Sequence, residues 1–361
     1  MHAEERQQTI LRELRARGSI RVTDLAERLG VSAITIRRDV ELLAGRRLLT
    51  RVHGGATLRE PAPEPGGSAN GTAADSPPPV PSEPALTRQV TIGMVVPSAV
   101  YYYPEIIRGA RQAAARRDGR LVLGLSSYDA AEDRTQVERL VNSGVDGLLV
   151  TPTTTDLDWL AALDIPVVLV ERHAQVRQPN LEHVVSDHTQ GAYLAVRHLA
   201  GLGHTGIALV AREDSPTTPH IREGYTIALR DAGLKPGPLF FTAKPAQTLE
   251  IEDQAPFEKF STEVREGRLH AALVHNDHDA MLLLQWLRAH DIEVPRDVAI
   301  VAYDDEVAAL ADTPLTAVAP PKLSVGSAAV DLLYHRLADP SRPRHRLSLL
   351  PQLRTRASTE A

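Results

Sequence analysis

The chain has 361 residues, a length that allows two or three domains of ordinary size. Its apolar content of 43% and charged content of 24% exclude a wholly disordered, collagen-like or low-complexity protein. Because cysteine is absent, disulfides, thiolate metal sites and a cysteine nucleophile are excluded as well. The sequence contains neither a run of about 18 apolar residues nor a signal-peptide pattern at its start, so we expect a cytoplasmic protein that does not bind a membrane.

The net charge of −6 is unevenly distributed along the chain. Residues 1–59 contain 12 arginines and 7 acidic residues, a net charge of +5, whereas the remaining residues carry −11. An arginine guanidinium can form two hydrogen bonds with a phosphate or with the edge of a guanine. The basic segment therefore favours nucleic-acid binding, with a solvated helical surface as the alternative.

Residues 60–88 have the composition of a linker, with 8 prolines and 3 glycines among 29 positions. We therefore divide the chain into a first domain over residues 1–59, a Pro/Gly-rich linker over 60–88 and a second domain over 89–361; the patterns below predict that the first binds DNA and the second binds an effector.

The first domain has the pattern of a helix-turn-helix. Ile10, Leu11 and Leu14 mark one face of a first helix, and residues 22–29 predict a second helix that ends before Gly30. A third helix is expected from about residue 33 to 44, with Ser32 as its N-cap. Two short helices joined by a tight glycine turn form this motif.

The third helix is expected to read DNA. Ile36, Val40 and Leu43 share one face at helical spacing and should pack inward, so the opposite face and its flanks are free for the major groove. An outward isoleucine can contact a thymine methyl group, while hydroxyls and arginines bind phosphates or base edges. For the isoleucine, contact with the linker or a neighbouring subunit is the alternative. The candidate DNA-binding residues in and before this helix are Ser32, Ile34, Thr35, Arg37 and Arg38.

Residues 46–56 alternate polar and apolar side chains around a Gly-Gly pair, which predicts a β-hairpin. Such a hairpin forms the wing of a winged helix. We expect Arg47, Arg51 and His53 to follow the DNA backbone.

Four segments of the first domain resemble a DeoR-type winged helix-turn-helix, namely residues 5–10, 25–32, 35–39 and 51–56. The resemblance spans nearly all of residues 4–58. It implies sequence-specific binding to an operator in double-stranded DNA.

The rest of the chain alternates apolar strands with helices, which predicts an α/β fold with doubly wound parallel sheets. The strands are expected at 90–96, 121–125, 147–150, 167–170, 206–210, 271–274 and 298–302. The helices are expected at 105–117, 132–141, 191–202, 221–232 and 279–290.

Segments in this region also resemble, in order and spacing, the effector domain of LacI-type regulators. They are residues 90–97, 144–147, 166–172, 198–204, 276–277, 294–298, 303–305, 314–316 and 356–359. The resemblance implies the two-lobed periplasmic-binding-protein fold, with a small ligand, often a sugar, bound between the lobes. It places lobe 1 at about 90–203 and 322–348, and lobe 2 at about 204–319 and 349–357.

The same resemblance gives candidate effector-binding residues. An aromatic ring can cover the apolar face of a sugar, whose hydroxyls need fixed polar partners. The positions that match the family's pattern are Tyr102, Tyr103, Arg172, Asn276 and Asp304. One position departs from it, because Ile221 stands where the family usually has an arginine; Arg222, one residue later, is kept as a candidate.

Each candidate has a plainer alternative. The tyrosines can fill a core between the lobes, and Arg172 can pair with Glu171 or with another carboxylate. Asn276 can cap the following helix, and Asp304 can cap the next turn.

Enzymatic motifs are absent from the sequence. There is no phosphate-binding glycine loop, no nucleophile elbow and no zinc-protease motif. His275 and His278 are the nearest approach to a metal pair, but no third ligand is evident, so we expect no metal and no cofactor.

The sequence therefore predicts a ligand-responsive transcriptional regulator, by family default a repressor of carbohydrate-use genes, and not an enzyme. Its partners would be an inverted-repeat operator, a small carbohydrate effector and a second copy of the chain in a homodimer or larger oligomer. The alternative is a DNA-binding head fused to a sugar-phosphate-processing enzyme domain.

Overall fold

The computed structural model describes residues 88–242 and 255–360 and parts of the N-terminal region. The described N-terminal residues are 6, 9–10, 12–14, 19–29, 31, 35–36, 39–40, 43, 49–52 and 55–57. The chain divides into two compact units, Met1–Val80 and Pro81–Ala361. The expected linker, apart from Arg88, lies outside the described residues.

The N-terminal unit contains the helix and hairpin that the sequence predicts. Helix α1 is Val22–Leu29, and a three-stranded antiparallel sheet has the order β1, β3, β2. Its strands are β1 (Ser19–Arg21), β2 (Thr50–Val52) and β3 (Gly55–Thr57). The predicted wing hairpin is therefore present, with Val52 opposite Gly55.

The core of this unit joins the expected apolar faces of three helical segments. Its buried residues are Ile10, Leu14, Leu25, Ala26, Ile36, Val40, Leu43 and Leu49. An ion pair between Arg6 and Asp39 adds a polar contact between the first and third segments, with a second hydrogen bond from Arg6 Nη2 to Asp39 Oδ1 at 3.3 Å. Both side chains are largely buried, so this pair fixes the third segment against the first.

Lobe 1 of the second unit is built on a six-stranded parallel sheet with the strand order β14, β8, β7, β6, β4, β5. Its strands are β4 (Thr91–Val96), β5 (Arg120–Leu125), β6 (Gly147–Val150), β7 (Val167–Val170), β8 (Glu182–Ser186) and β14 (Arg346–Leu349). Its helices are α2 (Tyr103–Arg116), α3 (Ala130–Asn142), the short α4 (Asp158–Ala161) and α9 (Lys322–Ala338).

Lobe 2 has a second six-stranded sheet, in the order β10, β9, β11, β12, β13, β15, parallel except for the edge pair β13 and β15. Its strands are β9 (Ile207–Arg212), β10 (Leu239–Thr242), β11 (Ala271–Val274), β12 (Ala299–Tyr303), β13 (Thr316–Ala319) and β15 (Gln352–Arg354). Its helices are α5 (His188–Gly201), α6 (Thr218–Asp231), α7 (Ala255–Arg265), α8 (Asp277–Ala289) and a short 3-10 turn, Ala308–Leu310.

In both sheets the central strands are apolar and buried. The four central strands β6, β7, β11 and β12 are buried along their whole length, as expected where helices cover both faces of a parallel sheet. The predicted α/β class with doubly wound parallel sheets is confirmed.

The structure divides the lobes differently from the expected boundaries. Helix α5, expected in lobe 1, packs in the core of lobe 2, where Val196 and Leu199 lie against Ile221 and Tyr225. The helix expected over residues 322–348 ends at Ala338, and β14 then joins the sheet of lobe 1. Strand and helix order alone cannot assign a helix to one of two similar sheets, because that choice depends on packing between distant residues.

Helices α2 and α9 cross in close contact at two glycines, Gly109 on α2 and Gly326 on α9. A Cβ added at Gly109 would overlap the carbonyl oxygen of Leu323, and one at Gly326 would overlap that of Ile106. Because backbone cannot move aside cheaply, we expect Gly109→Ala to lower the free energy of unfolding by about 1–3 kcal/mol, measured by urea denaturation. Gly201→Ala is the control, since nothing lies within 4 Å of a Cβ there. Equal stability of the two variants would contradict the close crossing.

Candidate functional site

The candidate site lies where the carboxyl ends of strands from the two lobes meet. Open parallel sheets bind ligands beyond these ends. In lobe 1 the relevant segments follow β4, β5 and β7, and in lobe 2 they follow β9, β11 and β12; we call the region between these segments the cleft. Direct contacts across it connect Tyr101 of lobe 1 with Asp304 and His278 of lobe 2.

Tyr101 makes the central contact across the cleft. Its hydroxyl donates to Asp304 Oδ2 at 3.1 Å, and its ring stacks on His278 with the ring centroids 4.4 Å apart. Tyr101 has a φ of 60°, a left-handed conformation that is unfavourable for a bulky side chain. These two contacts hold it there, so the first of the three consecutive tyrosines, which we did not select from the sequence, is the one that bridges the lobes.

Tyr102 belongs to a buried hydrogen-bond network that also joins the lobes. Its hydroxyl donates to Glu171 Oε1 at 3.1 Å, and the Nζ of Lys322 lies 5.1 Å from the centre of its ring. The imidazole Nε2 of His188 lies 3.6 Å from Glu171 Oε2, and its Nδ1 lies 3.1 Å from the hydroxyl of Tyr303. The network thus runs from α2 through the end of β7 to α5 and β12.

The Glu171 carboxylate stays ionised in this network. Burial by itself raises the pKa of Glu171, but hydrogen bonds from His188 and Ser186 outweigh it and lower the pKa below its usual value. The Ser186 hydroxyl donates to Glu171 Oε1 at 2.7 Å, and its backbone N–H donates to Oε2 at 3.1 Å.

Tyr103 and Arg172 lie on the lobe 1 side. Tyr103 is buried in the core of that lobe, with its ring edge-on to Tyr102 at 5.7 Å, and so it does not fill a core between the lobes. Arg172 donates from Nε to the carbonyl oxygen of Pro152 at 3.0 Å and from Nη1 to that of Glu171 at 2.7 Å. Two backbone carbonyls therefore orient the guanidinium without neutralising its charge.

On the lobe 2 side, Asn276 serves as an N-cap. Its Oδ1 accepts from the backbone N–H of His278 at 3.0 Å and of Asp279 at 3.3 Å, at the start of α8. Arg222 is exposed on α6, whereas Ile221, one residue earlier, is fully buried in the core. The contacts thus place Tyr102 and Asp304 in the connections between the lobes, whereas Tyr103 lies in the core of lobe 1 and Arg172 donates to the carbonyls named above. Asn276 has a capping role, and no contact among the described residues joins Arg222 to the other candidates.

Two histidines add a contact between the lobes. His173 follows β7 in lobe 1 and His220 lies on α6 in lobe 2, with their ring centroids 4.6 Å apart. Burial lowers the pKa of each, and the charge of nearby histidines lowers it further. The rings therefore meet as neutral groups at neutral pH.

Asp304 has an unusual electrostatic environment. Burial and the negative charge of Asp277 raise its pKa from 3.8 to about 7, against the opposing effects of Lys322, His188 and the hydrogen bond from Tyr101. The Asp304 carboxyl group therefore changes charge near neutral pH. Its position is fixed in part by Lys322, whose Nζ donates to the Asp304 carbonyl oxygen.

Arg212 is a second residue that sequence reasoning missed. It ends β9, and its charge acts on His275, Asp279 and Tyr128, the last of which belongs to lobe 1. The signal was available, because the residue ends an apolar strand in the same way that Arg172 follows one.

Two of the predicted DNA-binding residues lie in the described part of the N-terminal unit. Thr35 is helical and partly buried, and Arg51 lies in β2 with its side chain outside the described part. Outside the described residues lie Ser32, Ile34, Arg37, Arg38, Arg47 and His53.

Elsewhere in lobe 2, a groove of about 660 Å³ lies beside α8, lined among others by Met281, Leu284 and Ile292. It includes none of the candidate effector residues.

Within the described ranges, no three metal-ligating side chains are grouped to hold an ion. None of the helices described is long and apolar enough to cross a bilayer.

Comparison with known proteins supports this division into two functional parts. Residues 6–62 match the model of the DeoR-like helix-turn-helix domain, and residues 196–359 match that of the periplasmic binding protein-like domain. The DeoR-type character of the head is thus confirmed, and the second domain is confirmed as periplasmic-binding-protein-like.

Curated relatives align over most of the chain. The ribose operon repressor of Escherichia coli (strain K12) is 29% identical over 281 residues, which cover 76% of this chain and 83% of the repressor. The arabinose metabolism transcriptional repressor of Geobacillus stearothermophilus is 27% identical over 270 residues, 72% of this chain and 73% of that protein.

Solved structures share the fold. A complex of the transcriptional regulator CelR with cellobiose is 26% identical with a TM-score of 0.64, covering 76% of this chain and 86% of CelR. A LacI family transcriptional regulator from Enterococcus faecium with bound ribose is 23% identical with a TM-score of 0.60, covering 74% of this chain and 98% of that protein.

The raised pKa of Asp304 predicts how stability depends on pH. Since the folded state holds the Asp304 proton more tightly than the unfolded state, the stability that this group contributes is fully present below pH 3.8 and is lost as the pH rises through about 7. The Asp304→Asn variant cannot ionise at this position, so it should gain stability relative to the parent over this range, by on the order of a few kcal/mol. Urea denaturation of both proteins from about pH 4.5 to about pH 8 measures the difference. Parallel stability curves would contradict the assignment.

Proposed function

We propose that this chain, a DeoR-like helix-turn-helix head joined to a periplasmic-binding-protein-like domain, is a transcriptional regulator whose operator binding is controlled by a small molecule. The observation that carries this proposal is the presence in one chain of a DNA-binding head and of a cleft where strand ends from two lobes meet. Aligned relatives named as repressors of ribose and arabinose metabolism support the same function. The second domain is of the LacI type, and the protein acts in the cytoplasm as a repressor.

The head binds duplex DNA through its third helical segment. Ile36, Val40 and Leu43 are buried, so the residues on the opposite side of a helix at these positions point away from the core. Arg38 and Ile34 occupy that side in the sequence, flanked by Thr35 and Arg37. They reach base edges and phosphates in the major groove, while Arg47, Arg51 and His53 of the wing follow the backbone.

The effector is a carbohydrate that binds in the cleft. Aromatic rings at Tyr101 and Tyr102 and a carboxyl group at Asp304 provide the apolar surface and the fixed acceptor that a sugar needs. Related structures contain ribose and cellobiose, which supports this class of ligand.

The effector changes DNA binding by changing the relation of the two lobes. The contact between Tyr101 and Asp304 closes the cleft, so a ligand that binds Asp304 competes with it and shifts the population of open and closed lobes. Two heads on a homodimer bind an inverted repeat, with half-sites about one helical turn or a multiple of it apart.

The alternative function, a sugar-phosphate-processing enzyme domain behind the head, finds no support in the relatives, which are named as repressors. Turnover of sugar phosphates by the purified protein would favour it.

DNA binding tests the proposal directly. We expect the purified protein to bind a fragment from the promoter region of its own gene, measured by fluorescence anisotropy at moderate salt. Arg38→Ala should weaken this binding about tenfold to a hundredfold, because it removes a contact to a base or phosphate. Arg108→Ala, in the exposed ion pair with Glu105 on α2, is the control and should leave binding unchanged. If no promoter fragment binds, or if both variants behave alike, the proposed role of the head is wrong.

The linker provides a separate test of coupling. A flexible tether sets the local concentration of the heads but transmits little torque, so coupling requires docking between head and effector domain or assembly of the dimer. Shortening residues 62–84 should leave effector affinity intact and change the response of DNA binding to effector. An unchanged DNA affinity and response across a series of linker lengths would argue against a role for docking.

A further inference from the structure

Arg212 is a partly buried arginine whose guanidinium is only partly paired within the described part of the protein. Its side chain is 23% exposed, and the nearest carboxylate oxygen with which it pairs, Asp214 Oδ1, lies 3.5 Å from Nη2. Its Nε is buried and has no hydrogen-bond partner among the described residues. A buried guanidinium donor without an acceptor is costly, so proteins rarely keep one that has no function.

A second donor without a partner lies on the adjacent strand end. Strands β9 and β11 pair in parallel with Val210 opposite Val274, which brings Arg212 and His275 to the same edge of the sheet. His275 is 6% exposed, and its Nδ1 is buried without a hydrogen-bond partner in the described ranges.

The protonation of His275 makes this nitrogen a donor. Burial and the positive charges of His188 and Arg212 lower the pKa of His275 to about 3, so the ring is neutral at neutral pH. Its Nε2 lies 3.3 Å from the hydroxyl of Thr217, which can donate to it. With Nε2 as the acceptor, the proton of the neutral ring resides on Nδ1.

Lobe 1 contributes a second positive charge to the same place. Arg172 donates to two backbone carbonyls, and the hydroxyl of Tyr128 lies close enough to be influenced by both Arg172 and Arg212. Asp304 acts on the same hydroxyl. The charges of two guanidinium groups from opposite lobes therefore act on one hydroxyl at the cleft, and the acidic Asp304 acts on it as well.

We propose that the effector carries an oxyanion, a phosphate or a carboxylate, in addition to its hydroxyl groups, and that Arg212 with His275 in lobe 2 and Arg172 in lobe 1 bind it. A guanidinium matches the geometry of either oxyanion, and the Nδ1–H of His275 supplies a further donor. The carboxyl group of Asp304 accepts from sugar hydroxyls. This inference rests on the proposed effector cleft. It specifies that the ligand is an anion and not a neutral sugar.

The binding test uses the full-length protein and three probes with isothermal titration calorimetry: ribose, ribose 5-phosphate and gluconate. We expect one of the two anionic probes to bind at least tenfold more tightly than ribose, and the better of the two identifies the oxyanion. Arg212→Met should reduce that affinity at least tenfold, and Arg212→Lys should recover part of it. Arg230→Met on the exposed face of α6 is the control and should not change it. Tighter binding of ribose than of both anions, binding of no probe, or an Arg212→Met variant that binds anions like the parent would overturn the proposal.

A stability measurement tests the unpartnered Nε donor of Arg212 without any ligand. If Arg212 is kept for an anion, Arg212→Met should raise the thermal midpoint of the ligand-free protein by about 2 °C, because a buried donor without an acceptor is removed and the partly exposed ion pair with Asp214 at 3.5 Å contributes little. A lower midpoint would show that the pair with Asp214 makes Arg212 structural and would overturn the proposal. Promoter binding by the same ligand-free variant distinguishes failure of the anionic-effector proposal from failure of the proposed regulator function. It tests whether the protein binds DNA and does not depend on the charge of the effector.

Discussion

The geometry of the candidate site depends on one buried carboxylate, Asp277 at the start of α8. It is fully buried and accepts backbone N–H groups from Glu306 at 2.6 Å, Val307 at 2.9 Å and Ala308 at 3.2 Å. Burial raises the pKa of Asp277, and these hydrogen bonds oppose that rise. The loop after β12 is therefore fastened to the start of α8, and Asp304 is held facing the cleft. The negative charge of Asp277 also helps to raise the pKa of Asp304, so the same group sets both its position and its ionisation.

The lobes are connected across the cleft by groups that we propose as effector ligands. Tyr101 occupies Asp304 through a hydrogen bond, and the chain from Tyr102 through Glu171 to His188 adds a second connection between the lobes. A ligand can shift the balance of lobe arrangements only by as much as its affinity differs between them. In the proposed function, competition for Asp304 provides such a difference, because an effector hydroxyl and the Tyr101 hydroxyl cannot both take the same acceptor position.

The chain combines a DeoR-like head with a periplasmic-binding-protein-like domain, and this combination bears on how effector binding affects DNA binding. About 29 residues rich in proline and glycine separate the two parts in the sequence. A flexible segment of this composition transmits little torque, which is the reason for proposing that the cleft acts on the heads through docking or through dimer assembly. The proposed effector residues and the proposed DNA-binding residues therefore lie in different parts of the chain.

The sequence by itself determined the local structure. The 3.6-residue spacing of Ile36, Val40 and Leu43, and the apolar runs of the central strands, were enough for the helix-turn-helix and the α/β class, because these patterns depend on neighbours along the chain. The tertiary structure alone decided that α5 packs in lobe 2, that Asn276 caps α8, and that Tyr101 and Arg212 face the cleft. These outcomes depend on contacts between residues far apart in the sequence, and no local spacing encodes which of several similar side chains will meet across a cleft.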